Sequence, residues 1–380
     1  KEGGNGMRKG WEYKKLGDCT QILDSQRKPV TKRDRKSGIY PYYGATGIQD
    51  YVDKYIFDGR YVLVGEDGAK WSSFTQSAFI IEGKTWVNNH AHVLRTNDFL
   101  VDSFLVYFLN YSDLDSYISG AIIRKLTQAS LRNIDIPLPP KSTQLAIVSE
   151  LDKINELIRL KKEQLKDFDN LAQSLFYEMF GDPVENEKGW EVKKLNDICD
   201  VRDGTHDSPK YLQNSEYILI TSKNIVNGSI DFENVNYISE EDYIKINKRS
   251  KVDNGDIIMP MIGTIGNPII AHIDGTHKFC IKNVALIKFL ADSTVNNMFI
   301  VNLMRCSSFS SYLLNQNKGG TQKFVALGAI RKLPIPLPPL SLQQLFAQRI
   351  EQIEREKSEV QKSIQDLETL LASRMQYWFE

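Results

Sequence analysis

The chain has 380 residues, 41% hydrophobic and 25% charged, with 48 basic and 48 acidic side chains that cancel to a formal net charge of zero. That length exceeds one ordinary core and predicts two domains, while no apolar run approaches the roughly 20 residues that cross a bilayer. Neutrality counts against a free-standing nucleic-acid binder, which is usually basic overall, but leaves room for one whose local patches or partners supply the field.

Lys1 to Gly6 read as an expression remnant ahead of Met7, and this opening lacks the apolar stretch of a signal peptide. Residues 10–18, GWEYKKLGD, introduce a region of short β-like runs broken by Gly-centred turns: IYPYYGATG (39–47), YVLVGEDG (61–68) and AFIIEGKTW (78–86). A helical stretch follows at Ser103–Ser119, and RNIDIPLPPKSTQ (132–144) closes the region. The opening signature then returns as GWEVKKLND at 189–197, and the closing one as RKLPIPLPPLSLQ at 331–343. The offsets are 179 and 199, so the second half holds about 20 more residues between its signatures. Its contents, YILITS (217–222), GDIIMPMIGTIGNPIIAHI (255–273) and KNVALIKF (282–289), again read as strands, with a helical stretch at Asn296–Asn315. Each head is therefore predicted to be α+β on an antiparallel or mixed sheet. The four cysteines (Cys19, Cys199, Cys280, Cys306) and five histidines complete no zinc spacing, and the thiols suit a reducing cytoplasm.

Behind each IPLPP the pattern changes. The prolines hold the chain extended and make a natural boundary for a helix. From Ile147 the apolar positions advance by alternating fours and threes: Leu151, Ile154, Ile158, then Lys161, then Leu165, Phe168, Ala172, Leu175 and Met179. The second copy reads Phe346, Ile350, Ile353, Lys357, Val360, Ile364, Leu367, Leu371, Arg374 and Trp378. A sustained 3.5-residue period is the coiled-coil pattern. The plainer alternative is two amphipathic helices packed on separate cores. Two matched stripes most simply bury each other, however, so residues 141–180 and 340–379 are expected to form long antiparallel helices that hold the heads apart. Gly181 and Pro183 end the first helix. The expected organisation is a remnant at 1–6, a head at 7–135, a helix at 136–181, a second head at 182–334 and a helix at 335–380.

These motifs in combination resemble the specificity subunits of type I restriction–modification systems. Nearly the whole chain from Met7 carries the resemblance. The segment 42–69 with WVNNHAHVLR (86–95) is similar to one class of their target recognition domains; GDII (255–258), GTIG (263–266) and GGTQKF (319–324) are similar to another. The resemblance implies a non-catalytic protein of α+β class: two α/β target recognition domains joined by a coiled coil in a pseudo-two-fold repeat. Each would read half of a split site in double-stranded DNA. It further implies two methyltransferase subunits that bind S-adenosylmethionine, restriction subunits that cleave and translocate, and no cofactor or metal on this chain.

Base readout needs donors and acceptors on loops, and phosphates call for Lys and Arg. Candidate DNA contacts in the first head are Tyr43, Gly44, Thr46, Lys70, Trp71, Ser72, Asn88, Asn89, His90, Arg124, Lys125 and Thr127. In the second they are Gly204, Thr205, His206, Lys223, Asn224, Thr264, Asn267, Gly320, Thr321, Gln322 and Lys323. Each has a plainer alternative: Trp71 as a core plug, His90 and His92 as sheet residues, the glycine-centred segments as ordinary turns. The basic run RKPVTKRDRK (27–36) reads first as a solvated face. Two other functions compete. Glu82-Gly83-Lys84 with Asp67 loosely matches a metal-dependent nuclease core, and the helices alone would suit a DNA-independent scaffold.

Overall fold

The computed structural model describes residues 10–226, 228–263, 265–290, 293–315 and 324–380. The chain divides into two compact units, one of residues 1–163 with 361–380 and one of residues 164–360.

The two signatures recur because they pair with each other. In the first half Glu12–Lys15 runs antiparallel to Asp135–Leu138, with Glu12 opposite Leu138. In the second, Glu191–Lys194 pairs with Pro334–Leu337 in the same register, Glu191 opposite Leu337. The Leu16 and Leu195 N–H groups continue each ribbon, donating to the carbonyls of Ile134 (2.8 Å) and Leu333 (2.9 Å). Entry and exit of each head are thus one two-stranded ribbon at the root of a long helix.

The first head carries a six-stranded mixed sheet in the spatial order Thr20–Ile22, Ala91–Thr96, Phe57–Gly65, Ala78–Val87, Ser37–Gly44, Gly47–Val52. All neighbours are antiparallel except Ser37–Gly44 with Ala78–Val87. The central strand is a run of buried apolar residues, Val62, Leu63 and Val64, because both faces are covered. The helix expected over Ser103–Ser119 is shorter, Asp102–Tyr111. Ser112 turns its hydroxyl back onto the Phe108 carbonyl and Asp113 accepts the Asp115 N–H, so the rest becomes a 3₁₀ turn and the strand Ile118–Ser119.

Among the described residues, the second head has two larger sheets and a short ribbon, Ile225–Val226 with Ser229–Ile230. One sheet orders Asp200–Asp203, Val284–Lys288, Ile257–Pro260 and Ile269–Ile270; the other orders Asn236–Tyr237, Tyr217–Ile220 and Lys278–Ile281. The helical stretch at Asn296–Asn315 is two helices, Asn297–Arg305 and Ser307–Asn315, the first capped by the Asn296 side chain.

The long helices are Lys141–Phe180 and Leu340–Phe379, and within each unit they pack antiparallel. In the first unit Glu150 pairs with Arg374 and Lys162 with Glu368, so one helix ascends while the other descends. In the second unit Lys357 bonds Asp169 (2.8 Å) while Phe176 meets Phe346. Ile147, Leu151, Phe346 and Ile350 of the seam are buried. Toward the ends the buried side chains shift off the seam to Phe176 and Met375, which join the cores of the heads. The first helix ends at Gly181 with φ +79°, the left-handed cap.

A buried glutamine ties each head to its helix. Gln144 accepts the Val101 N–H (2.8 Å) and donates to the carbonyls of Phe99 and Pro139. Gln343 accepts the Asn296 N–H (2.9 Å) and donates to those of Thr294 and Pro338.

Candidate nucleic-acid interface

In the first head, segments distant in sequence meet at one end of the sheet. The Glu66 N–H donates to the His90 carbonyl (2.8 Å), the Leu126 N–H to the Glu66 carbonyl (2.8 Å) and the Asn88 N–H to the Tyr43 carbonyl (3.0 Å). Asp67 bridges to Lys125 across a short antiparallel contact. The turns at 44–47, 66–72, 88–90 and 118–126 therefore form one loop surface. Lys70, Trp71, Ser72, Ile122, Ile123 and Arg124 line an open cleft there of about 450 Å³.

Below that surface lies an internal ion network. Arg27 donates to Glu66 (2.5 Å) and pairs with Asp24 (3.3 Å), and Lys125 pairs with the other oxygen of Glu66 (2.6 Å). His92 presents Nδ1 to Asp24 (2.6 Å), and its Nε2 donates to the Leu126 carbonyl (2.8 Å). Burial pushes both carboxyls up, but the His92 and Val93 hydrogen bonds outweigh it at Asp24, as Lys125 and Arg27 do at Glu66. Both are held below the usual carboxylate range. Asp24, Glu66 and His92 are also of metal-ligating type and lie within reach of one ion. Arg27 and Lys125 already satisfy the carboxylates, so the set fits an internal salt network better than a divalent cation.

The structure sorts the sequence candidates. Trp71 is the core plug: it is 4% exposed and its indole donates to the Gly65 carbonyl (3.1 Å). Asn88 is buried as well, accepting the His90 N–H and donating to Gln49. Asn224 is buried in a capping box with Thr221. These three side chains hold turns and do not face solvent. Gly44 and Gly204 are buried, Tyr43 is half-buried against Phe79, and Thr127 caps the helix Gln128–Arg132. Lys125 is held by Glu66, which competes with the phosphate contact expected of it. Thr46, Lys70, Ser72, Asn89, His90 and Arg124 are exposed, with His90 bonded to Asp67 (2.5 Å) and Arg124 to Asp115 (2.7 Å). Of the basic run, Arg27 and Arg35 turn inward, Arg35 pairing with Asp50 and lying over the Tyr42 ring.

In the second head Thr205 and His206 meet Asn283 and Lys282. Ser222 donates to the Asn283 carbonyl (3.4 Å), bringing the turn of exposed Lys223 to the same place. Asn267 is exposed on a separate turn, before the strand Ile269–Ile270. Thr264, Gly320, Thr321, Gln322 and Lys323 lie outside the described residues. Sequence reading passed over Asn283, Arg249 and Lys282, which carried no local signal.

His206 faces two acceptors, the Asn283 amide oxygen (2.9 Å) and Asp203 (2.8 Å). Those bonds raise its pKa above the usual histidine value, against partial burial and the nearby Arg249, which itself pairs with Asp203. A raised folded pKa stabilises the fold fully below about pH 6.5 and progressively less as pH rises through the folded value. The second unit should therefore lose thermal stability as pH rises from about 6.5 through the raised folded pKa of His206, and His206→Gln should flatten that dependence. An unchanged slope in the variant would assign the pH response elsewhere.

The nuclease geometry is not assembled. Glu82 sits opposite Arg60 and pairs with it, whereas Asp67 lies beyond Gly65 at the far end of that strand. Five strand residues separate the two by about 17 Å or more.

A duplicated frame and two unlike α/β heads, each rooted on a long helix, define a tandem-repeat protein. The family profile of the type I restriction modification DNA specificity domain matches residues 8–167 and again 187–369, and the chain belongs to that family. It is 28% identical over 357 residues to the type I restriction enzyme specificity subunit S.HindORF215P assigned in Haemophilus influenzae, covering 90% of this chain and 87% of that one. The MjaVIII specificity subunit of Methanocaldococcus jannaschii is 24% identical, covering 95% and 92%. The fold matches the S subunit from M. genitalium, with TM-score 0.56 at 12% identity, over 99% of this chain and 97% of that one. No helix among the described residues is long and apolar enough to cross a membrane.

Proposed function

We propose that this chain is the DNA-reading specificity subunit of a type I restriction–modification complex, each head reading one half of a bipartite duplex site. The helix pair would set the spacer and dock two methyltransferase subunits, and restriction subunits would join them in the cytoplasm. S-adenosylmethionine, methylation and cleavage would belong to those partners, leaving this chain non-catalytic. The observation that carries this reading is the repeated root: the same strand ribbon and buried glutamine hold two unlike heads. A scaffold indifferent to DNA has no use for divergent loop surfaces on a constant frame.

The test is a head exchange. Replacing residues 189–330 with the matching segment of another family member should change one half-site and leave the other intact, read by selection from randomised duplexes in the presence of the methyltransferase partners. A change in both half-sites overturns modular reading. Within the first head, Lys70→Ala should weaken binding and relax readout in one half-site, by about 1–3 kcal/mol for a base contact. If Lys70 meets phosphate instead, all sequences weaken alike and the salt slope falls by about one unit.

A further inference from the structure

The loop surface of the first head has an apolar tip. Ile118–Ser119 pairs with Lys125–Leu126 as a short ribbon, and the loop between them carries Ile122 and Ile123, which are 97% and 71% exposed. Gly120, at φ +93°, makes the turn: a Cβ there would lie 2.1 Å from the Ile123 carbonyl oxygen. The root of the ribbon is fixed. Leu126 is buried, its N–H is bonded to Glu66, and Asp67 bridges to Lys125. A rigid stem therefore holds two large aliphatic side chains in water, an arrangement that folding alone does not favour. Exposed Lys70 lines the same cleft, and Arg124 follows directly, paired with Asp115 (2.7 Å) on the cleft wall.

We infer that Ile122 and Ile123 enter the major groove of the half-site read by the first head and contact thymine C5-methyl groups there. This rests on the DNA-reading assignment above. Two isoleucines offer far less than the roughly 800 Å² per partner that a stable protein interface buries, so a protein occupant is the poorer fit. Exposed Lys70 beside them complements the phosphates that flank a groove. A two-stranded ribbon fits the major groove, about 12 Å wide, and not the minor groove at about 6 Å. In the major groove the thymine methyl is the apolar feature on a base-pair edge, and burying one methyl-sized group strengthens binding about fourfold.

The full chain with its methyltransferase subunits would first select its bipartite site from randomised duplexes. That duplex is then remade with deoxyuridine at single thymine positions. One or two positions in one half-site should each weaken wild-type binding about fourfold. The Ile122→Ser/Ile123→Ser double variant should bind the unmodified duplex correspondingly less tightly and be insensitive to uridine at those same positions, while Ile122→Val retains most of the response. Melting temperatures of the variants, expected to match wild type at such exposed positions, separate lost contact from lost fold. Selection of no site by the wild type would overturn the DNA-reading assignment. A selected site with equal uridine sensitivity in wild type and double variant would overturn the thymine contact alone.

Discussion

Glu66→Gln should destabilise the first unit by about 3–5 kcal/mol, the cost of removing one partner from a buried ion cluster and leaving the others uncompensated. Glu66 holds both Arg27 and Lys125, and both Glu66 and the neighbouring His92 are buried. Denaturant titration followed by a probe in the first unit would measure it, with the second unit's transition as internal control. A loss below about 1 kcal/mol would show that water already solvates the cluster. Acid should act in the same place. The folded pKa values of Asp24 and Glu66 are depressed, so their contribution is present above about pH 4 and falls away as pH drops through the folded values.

Phe176→Ala should have a comparable effect in the second unit, about 3–5 kcal/mol for truncating a buried phenylalanine. Its ring contacts Phe180 (5.0 Å), Phe346 (5.6 Å) and Phe299 (5.7 Å), so it joins both long helices to the head's own helix Asn297–Arg305. Limited proteolysis should show cleavage appearing within residues 190–330 while the first head stays protected. Equal loss in both units would mean that the helices transmit the damage along their length.

The long helices were legible because their signal is periodic and local: Ile147, Leu151, Phe346 and Ile350 lie where a 3.5-residue repeat places them. The repeat stopped predicting burial where Phe176 and Met375 leave the seam for the heads, since a head core is not periodic along the helix. Pairing of GWEYKKL with IDIPL was hidden for a different reason. The partners stand more than a hundred residues apart, and neither half of a strand pair announces the other. Distance in sequence also concealed the fate of the basic run, where Arg27 and Arg35 turned inward toward Glu66 and Asp50. Trp71 was ambiguous between cleft and core until the Gly65 carbonyl fixed its indole. Ile122 and Ile123 went unremarked because two isoleucines in a sequence are ordinary, and only the turn at Gly120 makes them conspicuous.

Gln144 and Gln343 bond almost wholly to main-chain groups: amide N–H of Val101 and Asn296, carbonyls of Phe99, Pro139, Thr294 and Pro338. A joint made on the backbone is indifferent to which side chains the head bears at those positions. Substitutions in a head's loops can therefore change what it presents without loosening its mounting. Novelty in what is recognised is uncoupled from the cost of keeping the assembly intact.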